Sequence, residues 1–389
     1  GFALAGIVVT HMCEQYVAAP IPEAVQKALM PTLFDKIALG INEFLFRGKF
    51  FALFSFLFGV SFYIQMENGK RRGAYFGWRF LWRLVLLFGI GLVHSMFYRG
   101  DILTIYAIAG LFLLPFYSLK NNYVLGIAVL LFLGLFRYVV FYCHGNAPLF
   151  VDQPLVPESV AITQYIDLLQ NGSFAEVARS NLLQGNLWKA EFQLGIFSRA
   201  YLTFGFFLIG LFTARIGFFE RYKNQKKTLK RLWIVGLCLF MVAMIGMALI
   251  FSNLGTKVDF STWGAMFGLT FYDLMNLGMT VLIVAFFVIL FKNERFGRLL
   301  AIFAPYGRMA LTNYVVQSII GSFLFFGWGM GLLTKLSIGS SVLIALGIIA
   351  FQLWISHLWL QRFYYGPLEW LWRSLTFFKY FAFKKIKGD

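Results

Sequence analysis

The sequence predicts an all-α protein: a polytopic bundle of about ten transmembrane helices with both termini in the cytoplasm. The composition, the repetition of long apolar runs and the placement of the basic residues lead to this prediction. Of the 389 residues, 60% are hydrophobic and 13% are charged, whereas soluble domains carry about a quarter charged residues. A soluble core of this length could not bury so much apolar surface. The chain is therefore expected to form a single integral membrane domain, 1–389.

Ten apolar runs are each long enough for a membrane span, which takes about 20 residues in a helix. They cover 1–19, 49–66, 80–98, 101–118, 123–142, 196–212, 232–251, 269–291, 299–325 and 338–360. Because the first run begins at Gly1 without an initiator Met, we expect a short native segment to precede it.

The basic residues predict the orientation of these spans. The net charge is +17. If the ten spans alternate, about 22 lysines and arginines lie on one side and about ten on the other. Positive residues stay in the cytoplasm, so the richer side and both termini are assigned there. In a soluble protein such a charge would indicate nucleic acid. Here the basic residues lie in short loops, so the expected partners are membrane lipids and no nucleic acid.

Two polar segments lie outside the spans. The loop 143–195 is expected on the extracytoplasmic side with two short helices, and Ser173 and Glu176 have the spacing of a capping box. The tail, 364–389, mixes aromatic and basic residues, which predicts an amphipathic helix at the cytoplasmic interface.

Polar side chains within the apolar spans are the candidate site residues, because ionisable groups are costly in hydrocarbon and point to partners or function. Most of these side chains fall in the outer halves of their spans, so we expect them to converge in one polar pocket open to the outside. They are His11, Glu14, His94, Arg99, Asp101, Arg137, Asp273, Asn276, Asn313 and Gln317, which lie within the spans or at their ends.

The densest polar patch runs from His94 to Asp101. Asp101 stands where a helix would begin, so its carboxylate is suited to cap free N–H groups. The functional alternative pairs Asp101 with a histidine, which it would orient as a general base. His11 is as well explained as a hydrogen-bonded interior side chain as a catalyst. The four histidines of the chain are scattered, and no metal-binding spacing is present.

The other candidates also have structural explanations that require no activity. Asn313 and Gln317 are better explained as polar contacts between helices than as substrate ligands. Arg47 and Lys49 precede a span, where anchoring at the interface is common, and their functional alternative is an anion clamp at the pocket mouth.

Several stretches resemble the bacterial DUF418 (YeiB-like) integral membrane family. They are Gly1-Phe-Ala-Leu-Ala-Gly-Ile, Leu53-Phe-Ser-Phe-Leu-Phe-Gly, Gly91-Leu-Val-His94, Gly100-Asp101-Ile-Leu-Thr-Ile-Tyr-Ala, Gly307-Arg308-Met-Ala-Leu-Thr-Asn313-Tyr-Val-Val-Gln317-Ser and Gly366-Pro-Leu-Glu369-Trp-Leu-Trp-Arg373. The family often has Asn at the position of His11 and Trp at that of His357, whereas His94 and Asp101 match its pattern.

The resemblance implies a function by analogy, because the family is distantly similar to membrane acyltransferases. The implied protein, in the bacterial inner membrane, moves an acyl group from a donor such as acyl-CoA to a glycan or lipid of the cell envelope. His94, or else His11, would be the base, oriented by Asp101, and Arg99, Arg47 and Asn313 would position donor or acceptor. The alternatives are a transporter or lipid-handling protein that binds with the same residues, and a scaffold without activity.

Overall fold

The structure is a computed structural model that describes residues 1–71, 77–154, 156–221, 226–254 and 258–385. These residues form an all-helical fold, in which a single bridge between Phe363 and Lys384 is the one extended pairing. The first helices are α1 Phe2–Cys13, α2 Glu23–Ala28, α3 Leu33–Ile41, α4 Lys49–Arg71, α5 Gly77–Phe97, α6 Leu103–Leu111, α7 Leu113–Phe116, α8 Asn121–Phe132, α9 Leu135–His144, α10 Val160–Asn171 and α11 Phe174–Leu182. The remaining helices are α12 Gln184–Leu194, α13 Arg199–Arg215, α14 Phe218–Arg221, α15 Lys226–Leu254, α16 Trp263–Lys292, α17 Glu294–Ala301, α18 Phe303–Arg308, α19 Ala310–Phe325, α20 Ile338–Arg362 and α21 Pro367–Phe377.

Five helical segments are long and apolar enough to cross a membrane, and two bent helix pairs raise that number to seven within the described residues. The five are Leu33–Arg71, Gly77–Phe97, Lys226–Ser252, Trp263–Lys292 and Ile338–Arg362, and the bent pairs join α8 to α9 and α11–α12 to α13. These seven correspond to the second, third, fifth, sixth, seventh, eighth and tenth predicted spans. The first, fourth and ninth predicted spans correspond to shorter or interrupted helices. The described residues therefore do not form ten uninterrupted spanning helices.

The first predicted span ends earlier than expected. Its helix, α1, stops at Cys13 rather than Ala19, because Gln15, Tyr16 and Ala18 all take positive φ angles, which α-helical residues do not. The helix packs against α4, α19 and α20 and is buried on nearly every side. It therefore lies inside the bundle, as an all-round apolar helix should.

The ninth predicted span, 299–325, is broken into α17, α18 and α19. Pro305 contributes to the break, since it has no N–H to donate to the carbonyl of Ala301. The outer loop also differs from expectation: it contains three helices, α10 to α12, instead of two. The predicted capping box is confirmed, because the side chains of Ser173 and Glu176 bond reciprocally to each other's backbone N–H.

Glycines allow α4 and α13 to cross closely. A Cβ added at Gly59 would lie 2.0 Å from the carbonyl oxygen of Phe207, and one at Gly210 would lie 2.1 Å from that of Phe56. Small residues at such crossings bring backbones together where lipid gives helices no hydrophobic drive to associate. Large apolar side chains on the outer face of α15, such as Val242 and Leu249, are exposed and suit contact with lipid.

The C-terminal helix α21 packs against α5 and α19. The carboxylate of Glu369 accepts hydrogen bonds from the backbone N–H groups of Leu311 and Thr312, at 2.7 and 3.0 Å. It thereby caps the start of α19, where such groups lack intrahelical partners. The predicted amphipathic tail thus contains one helix, fastened to the bundle by this carboxylate.

Candidate active site

A histidine–aspartate pair lies where α5 gives way to α6. His94 is in the last turn of α5, and Asp101 follows in the short turn before α6. The Nδ1 of His94 is 2.7 Å from the Oδ1 of Asp101, and both side chains are fully buried. The pairing expected from the sequence is therefore present, and the two residues form what is here called the dyad.

The same carboxylate also caps α6. Asp101 accepts hydrogen bonds from the backbone N–H groups of Leu103 and Thr104, at 3.1 and 2.9 Å, and from the Thr104 hydroxyl at 2.7 Å. The two alternatives for Asp101, helix cap and histidine partner, thus hold together. Because the cap fixes the carboxylate, the carboxylate in turn fixes the imidazole.

The other nitrogen of the imidazole is unbonded. If Asp101 accepts the Nδ1 proton, Nε2 carries the lone pair that can take a proton from a substrate. The Nε2 of His94 is buried and has no hydrogen-bond partner among the described residues. Buried polar atoms are normally paired, so an exception calls for an explanation such as a catalytic role or a bound molecule.

Lys189 is a member of this site that the sequence did not indicate. Its Nζ is 3.8 Å from the Oδ2 of Asp101 and donates to the hydroxyls of Ser95 and Thr104, at 3.2 and 3.3 Å. It comes from α12 in the outer loop, so only the folded chain brings it to the dyad. Its ammonium group compensates the negative charge that Asp101 carries in a buried place.

Tyrosine rings pack against both His11 and the dyad. Tyr98 packs on His11, with ring centroids 4.7 Å apart, and Tyr314 packs on His94, with ring centroids 4.8 Å apart. Tyr16 closes the group on the far side of His11 at 5.5 Å. The Nδ1 of His11 and the hydroxyl of Tyr16 are also buried without a partner in the described chain.

Strained backbone holds Tyr16 in this position. The stretch after α1 has positive φ angles of 48° at Gln15, 58° at Tyr16 and 49° at Ala18. Such conformations are costly outside glycine and cluster at functional sites. Gln15 bonds to Thr334 and Leu336, which ties this stretch to the chain before α20.

Arg99 does not reach the dyad. Its guanidinium donates to the carbonyl of Ala18 at 3.0 Å and lies over the rings of Tyr165 and Trp188, about 4 Å from each centroid. Stacked cation–π contacts of this kind position the side chain firmly. Arg99 therefore connects α5 to the outer helices.

Glu14, Arg47 and Lys49 form a second polar cluster. Arg47 is 3.4 Å from the carboxylate of Glu14 and 2.9 Å from that of Glu43. The buried ammonium of Lys49 donates to the Glu43 carbonyl oxygen at 2.9 Å. Glu14 is three residues after His11, so this cluster lies about one helical turn along the chain from His11.

Asp273 belongs to a third cluster, in which it pairs with Arg137. The same guanidinium donates to Thr270 at 2.8 Å and to the carbonyls of Ile196 and Phe197. All three guanidinium nitrogens of Arg137 donate hydrogen bonds, so this ion pair joins α9, α16 and the start of α13.

Asn313 and Gln317 make no hydrogen bond to the dyad, and the two amides differ from each other in their hydrogen bonds. Asn313 donates to Ser356 at 2.9 Å and to the carbonyl of Tyr306 at 3.3 Å, which fastens α19 to α18 and α20. Both amide atoms of Gln317 are buried and unbonded within the described residues. Of the predicted single pocket, the structure brings together His11, His94 and Asp101. It distributes the others over separate clusters, because buried charged and amide groups bond to whichever partners packing supplies.

The residues that the structure describes contain no group of three His, Cys, Asp or Glu side chains arranged to hold a metal ion. What the dyad can do without one is accept a proton at Nε2 and return it. The protein is thus a helical chain with several membrane-span candidates and a buried histidine–aspartate dyad.

Known proteins place this chain in a family. A model described as "Protein of unknown function (DUF418)" matches residues 213–379. The chain is 33% identical to the uncharacterized protein YxaH of Bacillus subtilis over 88% of its own length and 83% of that protein. It is 27% identical to an uncharacterized 39.9 kDa protein in the amylase 3′ region of Bacillus acidopullulyticus, over 97% of the chain and 91% of that protein. It is 28% identical to the uncharacterized protein YeiB of Escherichia coli, over 84% of the chain and 81% of that protein. The chain belongs to the DUF418 family. No solved structure matches it.

Proposed function

We propose that this protein is a membrane acyltransferase in which the dyad is the general base. A single observation carries the proposal: Asp101 holds the Nδ1 side of His94, while Nε2 is buried and unbonded. A base needs this arrangement, because a fixed imidazole with a free lone pair can take a proton from a nearby hydroxyl or amine. The aromatic rings around His94 keep water away and strengthen the charge interaction within the dyad.

The proposed reaction consumes an acyl-CoA thioester and an acceptor of the cell envelope, a glycan or a lipid. Nε2 takes the proton of the acceptor hydroxyl or amine as its oxygen or nitrogen bonds to the acyl carbon. The C–S bond then breaks, the thiolate leaves with the electron pair, and the imidazolium returns the proton to it. Lys189 stays within reach of Asp101 and balances its charge throughout.

The test uses membranes that contain the full chain, a radiolabelled acyl-CoA and the endogenous envelope. We expect His94→Gln and Asp101→Asn to reduce label in the glycan and lipid fractions by about 10²–10⁴-fold. The matched control is His144→Gln, which removes a histidine at the end of α9, away from the dyad. The proposal fails if wild-type membranes transfer no label above a strain that lacks the protein, or if both dyad variants transfer normally while remaining folded.

The membrane arrangement belongs to the same proposal: a bacterial inner membrane, about ten crossings and cytoplasmic termini. The distribution of lysine and arginine supports it, as does the overlap of each predicted span with a helix. Under this arrangement the exposed thiol of Cys143 lies outside the inner membrane. In spheroplasts, a membrane-impermeant maleimide should label the wild-type protein at Cys143 and should not label the Cys143→Ser variant. Labelling of Cys143 only after lysis would mean that the protein has the opposite orientation.

A second candidate function, transport or lipid handling, is favoured by the bent helix pairs. The axis bends by 47° between α8 and α9 and by 62° where α11–α12 meets α13. Broken helices line substrate sites in many transporters. Arg137 and Asp273 lie at the first bend and would serve as the binding pair. Movement of a labelled lipid across proteoliposomes, lost in Asp273→Asn and kept in His94→Gln, would select this function over acyl transfer.

A further inference from the structure

Three arginines meet at the end of α5 that lies opposite the dyad. Arg79 and Arg83 are in the first two turns of α5, and Arg373 is in the middle of α21. The two helices pack together there, and the indole N–H of Trp372 donates to the carbonyl of Arg83 at 3.0 Å. Arg79, Arg83 and Arg373 are called the arginine cluster below.

Aromatic rings hold the guanidinium groups in place. Arg83 lies 4.0 Å above the ring of Trp372, and Arg79 lies 5.3 Å from that of Phe377. Arg373 contacts the ring of Phe381 at 4.6 Å. Stacking leaves the edges of a guanidinium, with its N–H donors, free to bind an anion in the plane.

Among the described residues, the positive charge of the cluster has no carboxylate partner. Within the described chain, no carboxylate lies within 4.0 Å of any of the three arginines, although seven other pairs do meet at that distance. Arg83 and Arg373 are close enough to repel one another. Glu369, the nearest acid along α21, is already bonded to the start of α19.

Two polar atoms at the cluster are also unbonded. The Nε of Arg373 and the hydroxyl of Ser374 are buried and have no hydrogen-bond partner among the residues described. Buried donors of this kind are normally satisfied, by water or by a ligand if not by protein. Like charges and unbonded donors in one place would both be relieved by one anion with several acceptor oxygens.

The surroundings match a membrane interface. Trp78, Phe378 and Tyr380 are 77%, 81% and 75% exposed beside the cluster, and aromatic side chains favour the headgroup level of a bilayer. Along α5, Arg79 and His94 are separated by about 22 Å, at 1.5 Å per residue. The cluster and the dyad therefore lie toward opposite ends of a helix that is long enough to span the membrane.

We propose that the arginine cluster is a binding site for a phosphate group at the membrane surface. Phosphate offers the negative charge and the acceptor oxygens that several arginines bind together. Two sources present this chemistry at a membrane: the headgroup of an anionic phospholipid, and the phosphates of a coenzyme A donor. The site rests on its own contacts and does not depend on acyl transfer, so binding alone tests it.

The experiment measures binding to the purified full-length protein in a neutral detergent. In one arm short-chain phosphatidylglycerol is titrated against the same chain length of phosphatidylcholine, and in the other 3′,5′-ADP is titrated against adenosine. Tryptophan fluorescence reports occupancy, because Trp372 lies directly under Arg83. The test variant is Arg83→Gln combined with Arg373→Gln. The single variant Arg79→Gln changes an exposed side chain and guards against misfolding of the double variant.

We expect wild-type protein to bind one of the anionic probes at least tenfold more tightly than its counterpart without net charge, phosphatidylcholine or adenosine. The double variant should lose about tenfold in affinity, since charge-assisted hydrogen bonds are removed. The control Arg295→Gln, an exposed arginine on α17, should bind as wild type does. Preference for phosphatidylglycerol identifies a lipid source, and preference for 3′,5′-ADP identifies a nucleotide source. Equal affinity of wild type, Arg79→Gln and the double variant for both probes overturns the proposal.

Discussion

Two buried ion pairs of this molecule, Arg137–Asp273 and His94–Asp101, differ in what they leave unbonded. Arg137 donates to Asp273, to Thr270 and to two backbone carbonyls, so its charge is fully compensated. In the dyad Asp101 is equally well bonded, but the Nε2 of His94 is not.

Under the proposed acyl transfer, this difference separates a structural pair from a reactive one. A fully bonded ion pair fixes helices relative to each other and can bind a substrate only by giving up one of these bonds. A pair that fixes one side of an imidazole and leaves the other side unbonded has a free acceptor for a substrate, at the cost of an unsatisfied buried atom. Changes in the first pair should therefore affect stability, and changes in the second should affect chemistry.

The largest effect on stability is expected for Arg137→Ala. Removal of one partner leaves the buried carboxylate of Asp273 uncompensated, which costs about 3–5 kcal/mol. Thermal unfolding of the detergent-purified protein should show a strongly lowered midpoint. The control Arg179→Ala removes an exposed arginine on α11 and should unfold as wild type does. Equal midpoints for the two variants would show that the pair does not join α9 to α16.

Asp101→Asn should have the opposite profile. Asparagine has one acceptor oxygen where Asp101 uses two, so the free energy of unfolding should fall by about 1–2 kcal/mol, less than in Arg137→Ala. The asparagine amide has no negative charge to stabilise an imidazolium, so acyl transfer should fall by about 10²–10⁴-fold. Transfer and thermal unfolding are measured on the same preparations.

The control for the dyad is Thr104→Val. It removes the hydrogen bond from the Thr104 hydroxyl to Asp101 and the one from Lys189 to that hydroxyl, about 1 kcal/mol each, and keeps the contact between His94 and Asp101. Its stability should therefore fall about as much as that of Asp101→Asn while its activity falls far less. If activity simply follows stability across both variants, the dyad has only a structural role.

Asn313 and Gln317, one turn apart on α19, give a second comparison between a bonded and an unbonded buried polar group. Asn313→Leu breaks the bond to Ser356 and should lower the free energy of unfolding by about 1 kcal/mol. Gln317→Leu replaces an unbonded amide with an apolar group and should be neutral or stabilising. The thermal midpoints of the two variants give the order, and a greater loss for Gln317→Leu would mean that its amide is bonded in the folded protein.

Sequence reasoning reached the local parts of this structure. His94 and Asp101 flank a short turn between consecutive helices, so the sequence could offer their pairing as one of two alternatives for Asp101. The capping box at Ser173 is local in the same way. Arg137 and Asp273 were both expected in the common pocket, but their pairing was not predicted, because they are 136 residues apart and only the packing of α9 against α16 brings them together. Lys189 was missed for the same reason.

The end of the first span was also not predictable from the local sequence. The apolar run continues to Ala19, which predicts helix throughout, yet α1 ends at Cys13. What ends it is a contact that hydropathy does not encode: Gln15 bonds to Thr334 and Leu336, more than 300 residues away. Tertiary bonds of this kind outweigh the helical preference of a few residues.

A small loss of stability is expected at the capping box, where a bonded polar group faces water instead of the protein interior. The Ser173 hydroxyl accepts from the Glu176 N–H, and the Glu176 carboxylate accepts from Ser173 in return. Ser173→Ala should lower the free energy of unfolding by only about 1 kcal/mol, because the freed N–H of Glu176 can bond to water. Since this loss lies far below that expected for Arg137→Ala, the thermal midpoint of the purified protein should fall only slightly. Ser173→Asp, which keeps a capping acceptor, should unfold as wild type does. A loss in Ser173→Ala as large as that in Arg137→Ala would mean that stability does not follow the burial of the bonded group.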